Sequence, residues 1–280
     1  MSRYRIVHTT GFRYGGQAVA SYNEARMLPT RDNSQLVFST KLDIQPHGSS
    51  HEYFDYFKTR AVMFEVLKPH SELTITSTSV VELRPTIGAE PGLAWDDLEP
   101  EIRSSLALTD AVTQTRRTNP PAELVRFAKK IAAKQTPHET AMQICRKVFD
   151  EMTYRHGVTG VHSIATEAWS AKIGVCQDYA HITLGALRAV GIPARYVSGY
   201  LHPAKDPKVG EKVVGESHAW VEWWAGSWFA FDPTNDVYAA DRHIVVGRAR
   251  DYDDLAPLRG VFAGAVDSEL FVSVEITKEA

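Results

Sequence analysis

The chain has 280 residues, a formal net charge of −3, 44% hydrophobic and 23% charged residues, the balance of a soluble globular protein of about two domains. That balance excludes a disordered chain, a coiled coil and a collagen-like fibre, and it supplies no global basic field for sequence-blind nucleic-acid binding. Two cysteines, Cys145 and Cys176, exclude a disulfide-stapled scaffold and any site of four thiolates. No apolar run reaches the about 18 residues of a spanning helix. The first residues also lack the apolar segment of a secretory signal. The expected compartment is the cytoplasm, with neither membrane nor nucleic acid as partner.

Residues 1–85 read as strands. Segments 4–10, 35–44, 61–67 and 72–83 are rich in β-branched and aromatic residues and are separated by Gly, Pro, Asn and Ser clusters. Close spacing without helices predicts an antiparallel, sandwich-like β-domain. Residues 86–120, punctuated by Pro85, Gly88, Pro91, Gly92 and Pro100, read as a connecting region. Helical spacing follows over 121–131, 138–152 and 176–190, the last ended by Gly191 and Pro193. Strands return at 194–200, 217–224 and 228–232. The division is therefore 1–85, a connector 86–120, an α+β core 121–250 and a tail 251–280. The tail strand at 270–276 has no assigned sheet.

Three segments carry chemistry. Gly174-Val-Cys-Gln-Asp-Tyr-Ala-His181 places Cys176 at a helix start. There the unpaired backbone N–H groups and the helix dipole favour a thiolate and can hold an oxyanion. Cys176, Ala180, Thr183, Leu187 and Val190 share one face, which is expected to be the buried one. In Glu216-Ser-His-Ala-Trp-Val-Glu-Trp-Trp224, alternation points His218, Trp220, Glu222 and Trp224 one way. In Trp228-Phe-Ala-Phe-Asp-Pro-Thr-Asn235, Asp232 ends a strand at a proline. A connection through Ala225-Gly226-Ser227 makes a hairpin with Trp224 opposite Trp228. His218 and Asp232 then lie on one face as diagonal neighbours, ~7–8 Å apart along the backbone. A two-residue loop would put them on opposite faces. Cys176 as nucleophile, His218 as base and Asp232 as orienting carboxylate describe acyl transfer through a thioester.

These segments, with Gly191-Ile-Pro-Ala-Arg-Tyr-Val-Ser-Gly-Tyr200, resemble the bacterial branch of the transglutaminase-like superfamily. Ser21-Tyr-Asn-Glu-Ala-Arg26 and Asp55-Tyr-Phe57 are similar to its β-rich N-terminal region. The resemblance leaves 86–120 and the chain beyond about 250 weakly matched. It implies a papain-like core in which Cys176, His218 and Asp232 carry the reaction. It also implies action on peptide or protein amides, by hydrolysis or by amide exchange. No motif for the calcium sites of the animal enzymes carries over. The family's oxyanion helper is often an upstream aromatic, for which Tyr154, His162 and Trp169 are the candidates, beside Gln177.

The remaining residues have plainer readings. Cys145 sits mid-helix on an apolar face and reads as core. Trp220 and Tyr200 are assigned to a substrate groove. His47 and His51 lack a third ligand, so no metal site is expected, and no cofactor. The polar segment 203–215 reads as a mobile flap before His218. The expected protein is a cysteine peptidase or amidase, with transamidation second. The alternative is an inactive peptide-binding module. Oligomeric state is not encoded in any feature found.

Overall fold

The computed structural model describes residues 2–84, 92–157, 160 and 163–280. The N-terminal region forms β1 (Ser2–Ala18), β2 (Ala20–Ala25), β3 (Gln35–Gln45), β4 (Ser49–Phe54), β5 (Arg60–Val66) and β6 (His70–Leu83). Period-2 burial, clearest in β5 and β6, turns one face of each strand inward. Tyr14, Met27, Val62, Phe64, Leu73 and Ile75 fill the space between two sheets, an antiparallel sandwich. Sequence reading missed β2 and β4. In and just after β2, Ser21, Asn23 and Arg26 are buried polar residues, which blur the apolar alternation. Arg26 is satisfied by Glu24 at 2.6 Å and Asp55 at 3.0 Å.

Beyond 92 the chain forms α1 (Trp95–Ser104), α2 (Leu106–Val112), α3 (Ala122–Ala132) and α4 (Pro137–Glu151). The stretch expected to be a mere connector therefore carries two helices. They dock through Leu98, Leu108 and Ala111, all buried, and Pro100 lies within α1. The start of α4 is fixed by a capping box in which the Thr136 hydroxyl accepts from the Glu139 N–H, while Glu139 accepts from the Thr136 N–H. Then come β7 (Thr153–Tyr154), α5 (Ala165–Ala171), β8 (Ile173–Gly174) and α6 (Cys176–Ala189).

Helix α6 is not amphipathic. Every residue from Gln177 to Arg188 is buried, so the helix runs through the core with neighbours on all sides. Its Ala180, Leu184 and Leu187 pack with Leu124, Ile144 and Val221. Arg188 is tolerated there because its guanidinium donates to the carbonyls of Ala111, Ala194 and Arg250.

The last elements are β9 (Ala194–Leu201), β10 (Lys212–Trp224), β11 (Trp228–Asp232), β12 (Val237–Tyr238), β13 (His243–Ala249), α7 (Tyr252–Leu255), β14 (Leu258–Ala263) and β15 (Ser268–Lys278). Strand β15 settles where the tail belongs. It pairs antiparallel with β1 along Tyr4↔Lys278 to Tyr14↔Ser268, and with β10 along Lys212↔Thr277 to Gly215↔Val274. Strand β14 pairs with β2. Among the described residues one sheet of nine strands thus runs from β3 through β6, β1 and β15 into β10, β9, β11, β12 and β13. The segment read as a mobile flap is partly tied down by this pairing, and Val209 bridges Lys278 as well.

Candidate active site

The β10–β11 hairpin has the register that a three-residue connection dictates, with Trp224↔Trp228 through Val221↔Phe231. The Ala225 N–H closes the turn on the Ser227 carbonyl at 3.0 Å, and Gly226 takes φ 89°, a backbone state natural to glycine. His218 and Asp232 consequently meet. The Nε2 atom of His218 lies 2.7 Å from Asp232 Oδ2. The pair is sequestered, with side-chain exposures of 10% and 0%.

Cys176 is placed by the start of α6. Asp178 Oδ2 accepts from the Val175 N–H at 2.8 Å and fixes the first turn. A Cβ at Gly174 would stand 2.7 Å from the Asp178 side chain, so only glycine leaves room for this contact. Helix geometry leaves the N–H groups of Cys176 and Gln177 without an intrahelical acceptor. Cys176 is partly buried against the core and lies near enough to the His218 ring to help raise its pKa. With Nε2 engaged by Asp232, Nδ1 is the ring nitrogen left available.

The short parallel pair β7–β8 sets Tyr154 beside Gly174, two residues before Cys176. Tyr154 is 39% exposed. Its phenol pKa is raised, by burial first and then by Cys176, Glu216 and Asp232. Its ring stands edge-on to His156 at 4.9 Å.

Electrostatics favour an ionised pair. Burial alone would lower the His218 pKa, but the Asp232 charge and hydrogen bond, then Cys176, outweigh it and raise the value to about 10. Asp232 is held well below the usual carboxylate range: burial works against this, and His218 and His243 overcome it. Four donors meet this carboxylate. The Thr234 N–H reaches Oδ1 at 2.9 Å, while Asn235 Nδ2, His218 and His243 Nε2 reach Oδ2 at 2.7, 2.7 and 3.2 Å.

The other expected residues divide. Gln177 is buried at the helix start. Trp169 is a core residue whose indole N–H donates to Glu123, so it cannot also serve an oxyanion at Cys176. His162 lies outside the described residues. Trp220 and Tyr200 do not line an open groove. Trp220 is 1% exposed and packs with Val197 and Val245 beneath the His218 ring, 6.2 Å away. A Cβ at Gly199 would come within 2.7 Å of its ring, so glycine makes that seat. Tyr200 is 2% exposed, and its hydroxyl meets His8 Nδ1 at 2.9 Å and the Met27 carbonyl. Alternation alone cannot tell a wet face from a sheet buried on both sides. Cys145 is in the core, its thiol pKa driven up by burial.

Sequence reading missed His243 and Asn235. Asn235 was visible as the end of the Asp-Pro-Thr-Asn run. His243 carried no spacing signal, since it arrives from β13 after an intervening turn. Among the described residues, His218, Asp232 and His243 form a group whose ligand atoms lie within 4.8 Å of one another, close enough in principle for a cation. The hydrogen bonds speak otherwise. His243 Nδ1 accepts from the Ala240 N–H at 3.3 Å, so its one proton sits on Nε2, the atom a cation would need.

Known proteins resemble the chain in family and in fold. Residues 125–233 match the transglutaminase-like superfamily core, and residues 4–82 match the bacterial transglutaminase-like N-terminal region. An uncharacterised protein of Mycobacterium leprae is 41% identical over 284 residues, covering all of both chains. One from Mycobacterium tuberculosis is 34% identical over 298 residues, covering 98% of this chain and 92% of its own. A protein-glutamine gamma-glutamyltransferase of Pseudomonas aeruginosa is 35% identical over 89 residues, 30% of this chain and 13% of that one. A Cytophaga hutchinsonii structure provisionally described as a cysteine protease superposes with TM-score 0.78 at 18% identity, over all of this chain and 91% of the other. The likeness is one of fold: an antiparallel β-rich N-terminal region followed by an α+β, papain-like core. Matched along its whole length by such relatives, the chain belongs to the bacterial transglutaminase-like superfamily.

Proposed function

We propose that the protein is a thiol enzyme that cleaves amide or isopeptide bonds of peptides or proteins, with Cys176 as nucleophile, His218 as acid and base, and Asp232 as the carboxylate that orients and charges His218. The observation that carries this reading is the buried His218–Asp232 pair at 2.7 Å, with Cys176 at the start of α6 near enough to act on the His218 ring. In the first step the Cys176 sulfur bonds to the carbonyl carbon and its proton resides on His218. The tetrahedral intermediate collapses, the C–N bond breaks, and His218 gives the proton to the departing amine. In the second step water loses a proton to His218, its oxygen bonds to the thioester carbon, and the sulfur leaves. The N–H groups at the start of α6 and the Tyr154 hydroxyl are the groups assigned to the oxyanion.

Hydrolysis is favoured over amine transfer because the rim beside Tyr154 is wet. The His156 and Glu216 side chains there are 64% and 67% exposed, which gives water a route to the thioester. The test uses glutamine and isopeptide substrates with and without a labelled primary amine. Hydrolysed product should dominate with amine present, Cys176→Ala should abolish it, and Tyr154→Phe should lower kcat about tenfold or more. Dominant amine incorporation would reverse the choice of acceptor. Absence of any covalent adduct with thiol-directed probes would favour the binding-module reading.

A further inference from the structure

We propose that His243 is a positioning residue of the reaction: by donating its Nε2 proton to Asp232 Oδ2 while remaining uncharged, it fixes the carboxylate that aims His218 at Cys176. The inference rests on the thiol-enzyme reading above and deepens it.

The ring of His243 has one arrangement. Its Nδ1 accepts from the Ala240 N–H at 3.3 Å, and its backbone N–H donates to the Ala240 carbonyl at 3.0 Å. The proton on Nε2 therefore points at Asp232 Oδ2, 3.2 Å away. The side chain is 3% exposed. Trp220 stands edge-on to the ring at 5.2 Å, and the His218 ring is 6.1 Å away. The titratable and charged groups facing it are Asp232 from β11, His218 from β10 and, beyond His218, Cys176 from α6. Arg242 is adjacent in sequence, but its guanidinium donates to the carbonyls of His202 and Ala204.

Two imidazoles thus share one carboxylate oxygen, and only one of them is placed to be charged. A cation on Nδ1 of His243 would oppose the Ala240 N–H, and a second imidazolium would repel that of His218. Burial chiefly, opposed by Asp232 and assisted by His218 and Arg242, keeps the His243 pKa below its ordinary value. The arrangement restrains the carboxylate from a second direction without competing for the proton His218 must carry. Asn235 completes the restraint from a third.

The test compares His243→Leu, which keeps bulk and loses the donor, with His243→Gln, whose amide N–H reaches a similar distance. Two readouts are followed: the His218 titration by NMR, identified by its absence in His218→Ala, and the alkylation rate of Cys176 at pH 7. In His243→Leu the His218 pKa should fall by at least about one unit, and Cys176 alkylation should fall about tenfold. His243→Gln should recover most of both. The inference is overturned if His243→Leu leaves both unchanged, or if His243→Gln loses both in step with its thermal midpoint. If wild-type His218 titrates near 6.5 and Cys176 is inert, the thiol-enzyme reading falls and takes this inference with it. A reactive wild type with indifferent variants removes only the role of His243.

Discussion

Among single residues, one buried carboxylate governs the site. Asp232 is fully sequestered and yet stays ionised because four donors converge on it. An unpaired charge so placed would be costly, and removing a partner from a buried pair costs about 3–5 kcal/mol. The pH dependence follows. The His218 pKa is raised from 6.5 to about 10, so its contribution is complete below pH 6.5 and is lost as pH rises toward 10. The Asp232 pKa is lowered from 3.8, so its contribution is present above pH 3.8 and is lost as pH falls through the folded value. Asp232→Asn should therefore lower the thermal midpoint most between pH 3.8 and 6.5, and the difference should shrink toward pH 10. A midpoint difference that is constant across that range would contradict the coupling. Cys176, His218 and Asp232 were legible from residue type and hairpin register. His243 was not, because a histidine that reaches a site through tertiary packing leaves no periodic trace in the chain.

At the scale of elements, β10 carries the site on a strand buried on both faces. Ala219, Val221 and Trp223 belong to the helical core, and Trp220 to a separate cluster with Val197 and Val245. The alternation was readable. The burial of both faces was not, since it is imposed by helices and strands distant in sequence, and so Trp220 and Tyr200 were misassigned to a groove. Glu222 shows the same limit. It is 4% exposed and lies between Arg195 at 2.5 Å and Arg248 at 2.9 Å, and Arg248 also meets Asp32 at 2.7 Å. This network fastens β10 to β9, β13 and the chain ahead of β3. Glu222→Leu leaves the Arg195 guanidinium without its carboxylate and Arg248 with Asp32 alone, and should cost about 3 kcal/mol in urea unfolding. A change within about 0.5 kcal/mol, as at an ordinary surface site, would contradict a structural role for the network.

At the scale of the molecule, the C-terminal strand joins the halves. Ile276, fully buried, packs with Tyr4 and Ile6 from the first strand and with Tyr200 and Ile244 from the core. The tail strand could be read from its alternation, but its place could not. Pairing between residues 4 and 278 is among the longest-range contacts the chain can make. Ile276→Ala should cost about 2–5 kcal/mol. All six tryptophans lie at position 95 or beyond, so their fluorescence reports one half while far-UV circular dichroism reports both. The continuous sheet predicts coincident transitions for the two probes. An earlier far-UV transition with fluorescence unchanged would mean that the halves unfold separately.

Whether Cys176 and His218 work as a pair is read from the alkylation rate of each cysteine against pH, by mass spectrometry, in wild type, His218→Ala and Asp232→Asn. Cys176 should be modified fast near neutral pH while buried Cys145 stays protected. The Cys176 advantage should be lost in His218→Ala and reduced less in Asp232→Asn. Equal, slow modification of both cysteines, unaffected by either substitution, would contradict that pairing.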